Sequence, residues 1–140
     1  MNKTTRSPNS DYYISRLWKD SMGPTVFRSY TNVSGFSAFA HCAPGGGLSL
    51  GFVNFSPNAS AVLDVHGPGS LGAPRLLRVL TSQPDNTTLA LNGVPLKYEP
   101  GSGALPSLSP AEDPGNAPLV LPPHSVGFVT WPKAAYYNCM

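Results

Sequence analysis

A chain of 140 residues with 41% hydrophobic content is long enough for one domain with a real core and is too apolar for a disordered segment. Nine Lys and Arg stand against seven Asp and Glu, and the basic residues (Arg16, Lys19, Arg28, Arg75, Arg78, Lys97 and Lys133 among them) form no stripe, which argues against nucleic acid as a partner. Charged residues reach only 11%, against about 25% in ordinary domains, so Ser, Thr, Asn and Pro, sugar, or another domain must cover the surface.

Met1 to Pro8 is polar and has no apolar core, so it does not read as a signal peptide. No run approaches about 18 consecutive apolar residues, so no transmembrane span is expected. One segment reads as helix. Ser10 or Asp11 can cap it and Gly23-Pro24 ends it. Between them Tyr13, Ile14, Leu17, Trp18 and Met22 fall at helical spacing on one face, with Arg16, Lys19 and Asp20 turned away. That face is large and aromatic for so short a helix, and it needs a partner surface.

After Pro24 the pattern becomes short strands: Val26–Tyr30, Phe36–Cys42, Leu48–Asn54, Ala61–His66, Leu76–Thr81, Thr87–Asn92, Val94–Tyr98, Leu119–Leu121 and Ser125–Trp131. Gly45-Gly46-Gly47 and Asn92-Gly93 read as hairpin turns. Glu99 to Pro118, rich in Gly, Pro and Ser, reads as a long surface loop. The expected fold is mainly β: an antiparallel β-sandwich of about eight short strands preceded by one N-terminal α-helix. No internal repeat is visible.

The pattern Asn-x-Ser/Thr occurs at Asn2, Asn32, Asn54, Asn58 and Asn86, five of nine asparagines, where chance gives about one or two. The excess fits a chain made for the secretory route. Asn54 lies in an apolar run with Asn58 close behind, so the candidate glycosylation sites are Asn2, Asn32, Asn58 and Asn86. Secretory chemistry without a secretory leader makes the chain look like a piece of something longer.

Catalytic signals are thin. A glycosidase needs two facing carboxyl groups, about 5 Å apart in the retaining class, and the only glutamates, Glu99 and Glu112, belong to the Pro-rich loop or its edge. His41, His66 and His124 lack ligand spacing and read as structural or surface residues, so no metal or cofactor is expected. There is no phosphate loop and no nucleophile elbow. A Cys42–His41 nucleophile is weak, because neighbours in a strand point to opposite faces. A disulfide between Cys42 and Cys139 best explains the cysteines, with two buried free thiols as the alternative. Closing a loop of about 100 residues stabilises by up to about 4.7 kcal/mol in the chain-entropy model.

Five motifs in order then point to a family. Asn9-Ser10-Asp11-Tyr12-Tyr13 with Leu17-Trp18 and Met22-Gly23 resembles the helix of plant heparanase-like proteins. Ala38-Phe39-Ala40-His41-Cys42, Gly51-Phe52-Val53-Asn54-Phe55-Ser56, Leu91-Asn92-Gly93-Val94-Pro95-Leu96 and Pro122-Pro123-His124-Ser125-Val126-Gly127-Phe128-Val129 are similar to later motifs of the same group. The resemblance covers essentially the whole chain, and the family is glycoside hydrolase family 79.

It implies a (β/α)8 barrel carrying two catalytic glutamates, with a β-sandwich packed beside it. By that resemblance residues 1–23 are the remnant of the barrel domain, ending in its last helix, and residues 24–140 are the C-terminal sandwich. The absent barrel is then the partner of the aromatic helix face. The family's two cysteines map onto Cys42 and Cys139 as a sandwich disulfide fixing the last strand to an early one. The catalytic glutamates lie upstream of the match and have no counterpart here. The N-terminal strand material that family sandwiches borrow is absent too. Ser10 stands where the family usually has proline. Arg28 alone stands where animal heparanases carry a basic run.

The implied role is the accessory sandwich of a heparanase-like endo-β-glucuronidase that is secreted, in the cell wall or membrane-associated, inactive alone and meeting glycan only through its parent. The alternative is a stand-alone carbohydrate-binding or structural module, with Tyr136 and Tyr137 as sugar platforms and Trp131 in the core.

Overall fold

A computed structural model describes residues 7–65, 74–82 and 88–139. It holds one helix, α1 (Ser10–Ser21), and ten strands: β1 (Val26–Phe27), β2 (Phe36–Cys42), β3 (Leu48–Asn54), β4 (Ala61–Leu63), β5 (Arg75–Ser82), β6 (Leu89–Leu91), β7 (Val94–Pro95), β8 (Ala111–Asp113), β9 (Leu119–Leu121) and β10 (Ser125–Trp131). A short 3-10 turn, Tyr137–Cys139, follows β10.

Eight strands form one antiparallel sheet in the order β1-β2-β3-β10-β5-β6-β7, with β8 also paired to β5. β4 and β9 make a second, two-stranded sheet. The long strands fix the register. Phe39 faces Gly51 across β2 and β3, Gly51 faces Phe128 across β3 and β10, and Phe128 faces Arg78 across β10 and β5.

Because successive side chains alternate, the large sheet presents two apolar faces. Phe36, Leu48, Leu50, Phe52, Val129 and Trp131 point one way and pack with Leu119 and Leu121 of the small sheet. This is the sandwich core, and each fully buried large side chain there contributes roughly 1.5–3 kcal/mol. Phe128 and Leu80 point the other way and pack with Tyr13, Leu17 and Met22 of the helix and its C-cap. The molecule is therefore layered: small sheet, large sheet, helix. The mainly β architecture behind one N-terminal helix is the one the periodicity predicts.

The differences are local. The helix has Asn9 at its N-cap in an extended conformation and without a side-chain capping bond, so neither Ser10 nor Asp11 caps it. Asp11 lies in the first turn instead, where a carboxylate favours the helix dipole. The stretch from Glu99 to Pro118 is not all loop. β8 lies inside it, and Arg75 of β5 reaches across the pair to Asp113 at 2.9 Å. Arg75 also donates to the Ala117 carbonyl at 2.8 Å, so one buried guanidinium ties this Pro-rich segment to the sheet. β4 stops at Leu63, and the rest of the predicted Ala61–His66 strand runs beyond it, with His66 outside the described residues.

The Asn92-Gly93 hairpin forms as predicted. Both residues have positive φ, 50° and 81°, as the favoured two-residue turn requires. Asn92 also replaces a ladder partner. Its side chain donates to the Leu77 carbonyl and accepts from the Val79 amide, each at 2.9 Å.

Candidate functional site

The helix face that seeks a partner finds one inside the chain. Tyr13, Leu17 and Met22 are buried against Leu80, Leu91, Leu96 and Phe128, and Ile14 packs at their edge. The expectation that a separate barrel must cover this face is corrected here: the sheet has its own apolar surface on that side, and the helix lies on it. Burial has an electrostatic consequence. It pushes the Tyr13 phenol above its ordinary value, with neighbouring Tyr12 adding a smaller push. Arg78, under the same helix, is lowered by burial, and Asp20 partly offsets this. Its Nη1 reaches Ser21 Oγ at 3.4 Å, while its buried Nε makes no hydrogen bond.

Trp18 is the member of the predicted face that stays open, 42% exposed. Its ring meets His41 and Phe128 edge-on, at centroid distances of 5.4 and 6.1 Å. Val26 and Phe39, also exposed, share this side of the sheet by register, beside the helix. An apolar strip of Trp18, Phe39 and Val26 thus remains uncovered.

Where the helix ends, several segments converge. His41 Nδ1 donates to the Gly23 carbonyl at 2.8 Å, which makes it the structural histidine the sequence implies and sets its tautomer. The Gly23 amide donates to the Cys42 carbonyl at 2.7 Å, and the Cys42 amide to Thr25 at 2.9 Å. Cys42 is bonded to Cys139 across 97 residues, with Cα atoms 5.2 Å apart and both cysteines buried. Cys139 sits in the 3-10 turn, so the crosslink joins β2 to that turn and not to the last strand itself. Gly47 closes the neighbouring hairpin at φ 85°, and a Cβ there would collide with the Trp131 carbonyl. We call this end of the sheet the clasp.

The opposite end is organised by a residue the sequence offers only as a doubtful sequon. Asn54 is 3% exposed. Its Nδ2 donates to the carbonyls of Ala59 at 3.0 Å, Leu121 at 3.3 Å and Pro122 at 3.0 Å, and its Oδ1 accepts from the Ser56 amide at 3.1 Å. No glycan fits on that nitrogen in the folded chain. Asn32 and Asn58 are exposed, while Asn2 and Asn86 lie outside the described residues.

Glu112 is exposed on β8 and Glu99 is exposed beyond β7. Asp11 and Glu99 both border an open cleft of about 890 Å³ between the start of the helix and residues 96–100. Both are solvent-facing. Among the described residues no group of His, Cys, Asp and Glu is placed to hold a metal ion, and no helix is long and apolar enough to cross a membrane. Of the proposed sugar platforms, Tyr136 is partly buried against Phe27 at 5.6 Å and is not a free surface, and the Tyr137 side chain lies outside the described residues. Trp131 is in the core.

Comparison with known proteins decides the kinship. The chain is 31% identical over 139 residues to the baicalin-β-D-glucuronidase of Scutellaria baicalensis, an alignment covering 96% of this chain. It is also similar to a heparanase-like protein. Heparanase-like protein 3 of Arabidopsis thaliana aligns over 92% of the chain at 25% identity. No known family profile matches. The chain spans only 26% and 29% of the lengths of these two curated relatives.

Proposed function

We propose that this chain is the C-terminal accessory sandwich of a secreted heparanase-like glycoside hydrolase, with the catalytic glutamates in a barrel outside these residues. The observation that carries the reading is the alignment: nearly the whole chain matches about a quarter of a β-glucuronidase. Three features support it. Glu99 and Glu112 are exposed on separate segments, and Asp113 is taken up by its ion pair with Arg75, whereas a retaining mechanism needs a pair about 5 Å apart. The Cys42–Cys139 bond fits an oxidising compartment. The uncovered strip of Trp18, Phe39 and Val26 offers a surface for a catalytic domain to rest on.

In this reading the sandwich contributes stability and shape. The parent's barrel is its partner and glycan its indirect substrate. The helix belongs at the junction: its buried face is bound to the sheet and its Trp18 edge is free for the barrel. A glucuronide-release assay on the purified 140-residue chain tests the reading. No release above a Glu99→Gln/Glu112→Gln control is expected, and release that this double substitution abolishes would overturn it.

A further inference from the structure

The two exposed sequons of the described chain share a feature that the buried one lacks. Tyr30, 89% exposed, stands two residues before Asn32, and Phe55, 65% exposed, stands three before Asn58. Their partner hydroxyls, Ser34 and Ser60, are exposed as well. Single exposed aromatics are ordinary. Two that precede the two open sequons, in two touching loops, form a pattern.

The loops are held. The Phe55 amide donates to the Gly35 carbonyl at 2.7 Å, joining residues 28–35 to residues 55–60. Thr31 and Ser29 hydroxyls donate to the carbonyls of Phe36 at 3.2 Å and Ala38 at 2.9 Å, fixing the first loop to β2. Asn54 grips Ala59 from below, and Ser56 Oγ accepts from the Ala59 amide at 3.0 Å, fixing the second. Each asparagine is thus displayed in a braced loop that also carries an uncovered aromatic ring.

We propose that Asn32 and Asn58 are N-glycosylation sites whose first sugar rests on Tyr30 and Phe55 respectively, so that the end of the sheet opposite the clasp is stabilised by carbohydrate. The chemistry of the ring favours this. An aromatic face is negative, and the C–H face of a pyranose presents hydrogens of opposite polarity while covering apolar surface. In the transfer step the asparagine Nδ2 bonds to C1 of a polyprenyl-diphosphate-linked oligosaccharide. The C1–O bond to the diphosphate breaks, the diphosphate leaves with the electron pair, and the amide proton passes to a base of the transferase. Asn54 is excluded because its Nδ2 is committed to three carbonyls. The inference rests on the secretory part of the proposed function.

The test is to secrete the full chain from a eukaryotic host and map glycan sites by enzymatic release in heavy-oxygen water with peptide mass spectrometry. Occupancy at Asn32 and Asn58 and none at Asn54 is expected. Tyr30→Ser should then lower the urea midpoint of the glycosylated chain and leave an Asn32→Gln background unchanged, and Phe55→Ser should behave the same way against Asn58→Gln. An oxidised, glycan-free chain overturns this inference alone. A chain with free Cys42 and Cys139 and no glycan overturns the secretory reading with it. Equal effects of the aromatic substitutions with and without glycan remove the platform role.

Discussion

The two ends of the large sheet are locked by different chemistry. At the clasp a covalent bond between Cys42 and Cys139 gathers the helix end, the glycine hairpin and the final turn. At the other end one buried amide, Asn54, gathers the β3–β4 loop and the chain leaving β9. A disulfide acts largely by restricting the unfolded chain, so its effect grows with loop length and is independent of neutral pH. A hydrogen-bonded hub acts in the folded state, and its loss removes bonds made only there. The first lock suits a terminus that would otherwise fray, and the second suits loops that display groups to solvent.

The largest expected effect lies at the clasp. Replacing both cysteines by serine should cost about 4 kcal/mol in urea unfolding, in line with a crosslink spanning 97 residues. A loss under about 1 kcal/mol would mean that the hydrogen bonds around Gly23 and Cys42 hold this end alone.

Next is the layer that joins the two ends. Leu17→Ala empties a fully buried site under the helix and should cost about 2–5 kcal/mol. Near-neutral behaviour would show that the helix does not rest on this sheet.

At the hub, Asn54→Ala should cost about 2–3 kcal/mol, as the amide's bonds to the carbonyls of Ala59, Leu121 and Pro122 are lost, although Pro122 keeps Ser125 Oγ as a donor at 2.6 Å. Asn54→Asp should be worse, because an aspartate offers no donor and faces those oxygens with a charge. If the aspartate variant matched wild type, the amide would not be oriented as described.

The smallest effect is a pH dependence. The Tyr13 phenol is raised in the folded chain, chiefly by burial, so the neutral phenol is the form the fold prefers. Its contribution should be complete below the ordinary tyrosine value of about 10 and decline as pH rises through the higher folded value. A Tyr13→Phe chain should lack that alkaline decline, and an equal decline in both would assign it elsewhere.

Much of this fold is legible in the sequence because alternation and turn chemistry are local. Leu48 to Asn54 and Ser125 to Trp131 declare themselves as strands, and Asn92-Gly93 as a hairpin. β8 is hidden because its pairing depends on Arg75, distant in sequence, and its three residues lie among prolines. The helix partner is misplaced for a similar reason: periodicity gives an apolar face but not which surface covers it. Asn54 is the clearest case. Its neighbours spell a sequon, yet its role is set by carbonyls 67 and 68 residues away. The clue available was its place at the end of an apolar strand, where a polar side chain must be satisfied. The Cys42–Cys139 bond is legible in the sequence, but its seat in a turn after β10, and not on the last strand, requires the fold.

Amide hydrogen exchange with and without reductant tests the two-lock account most directly. On reduction, the amides of Cys42, Ala43 and Cys139 should exchange faster, while those of Phe55 and His124, bonded at the far end to Gly35 and Ser56, should keep their protection. Equal loss of protection at both ends, or none at the clasp, would contradict it.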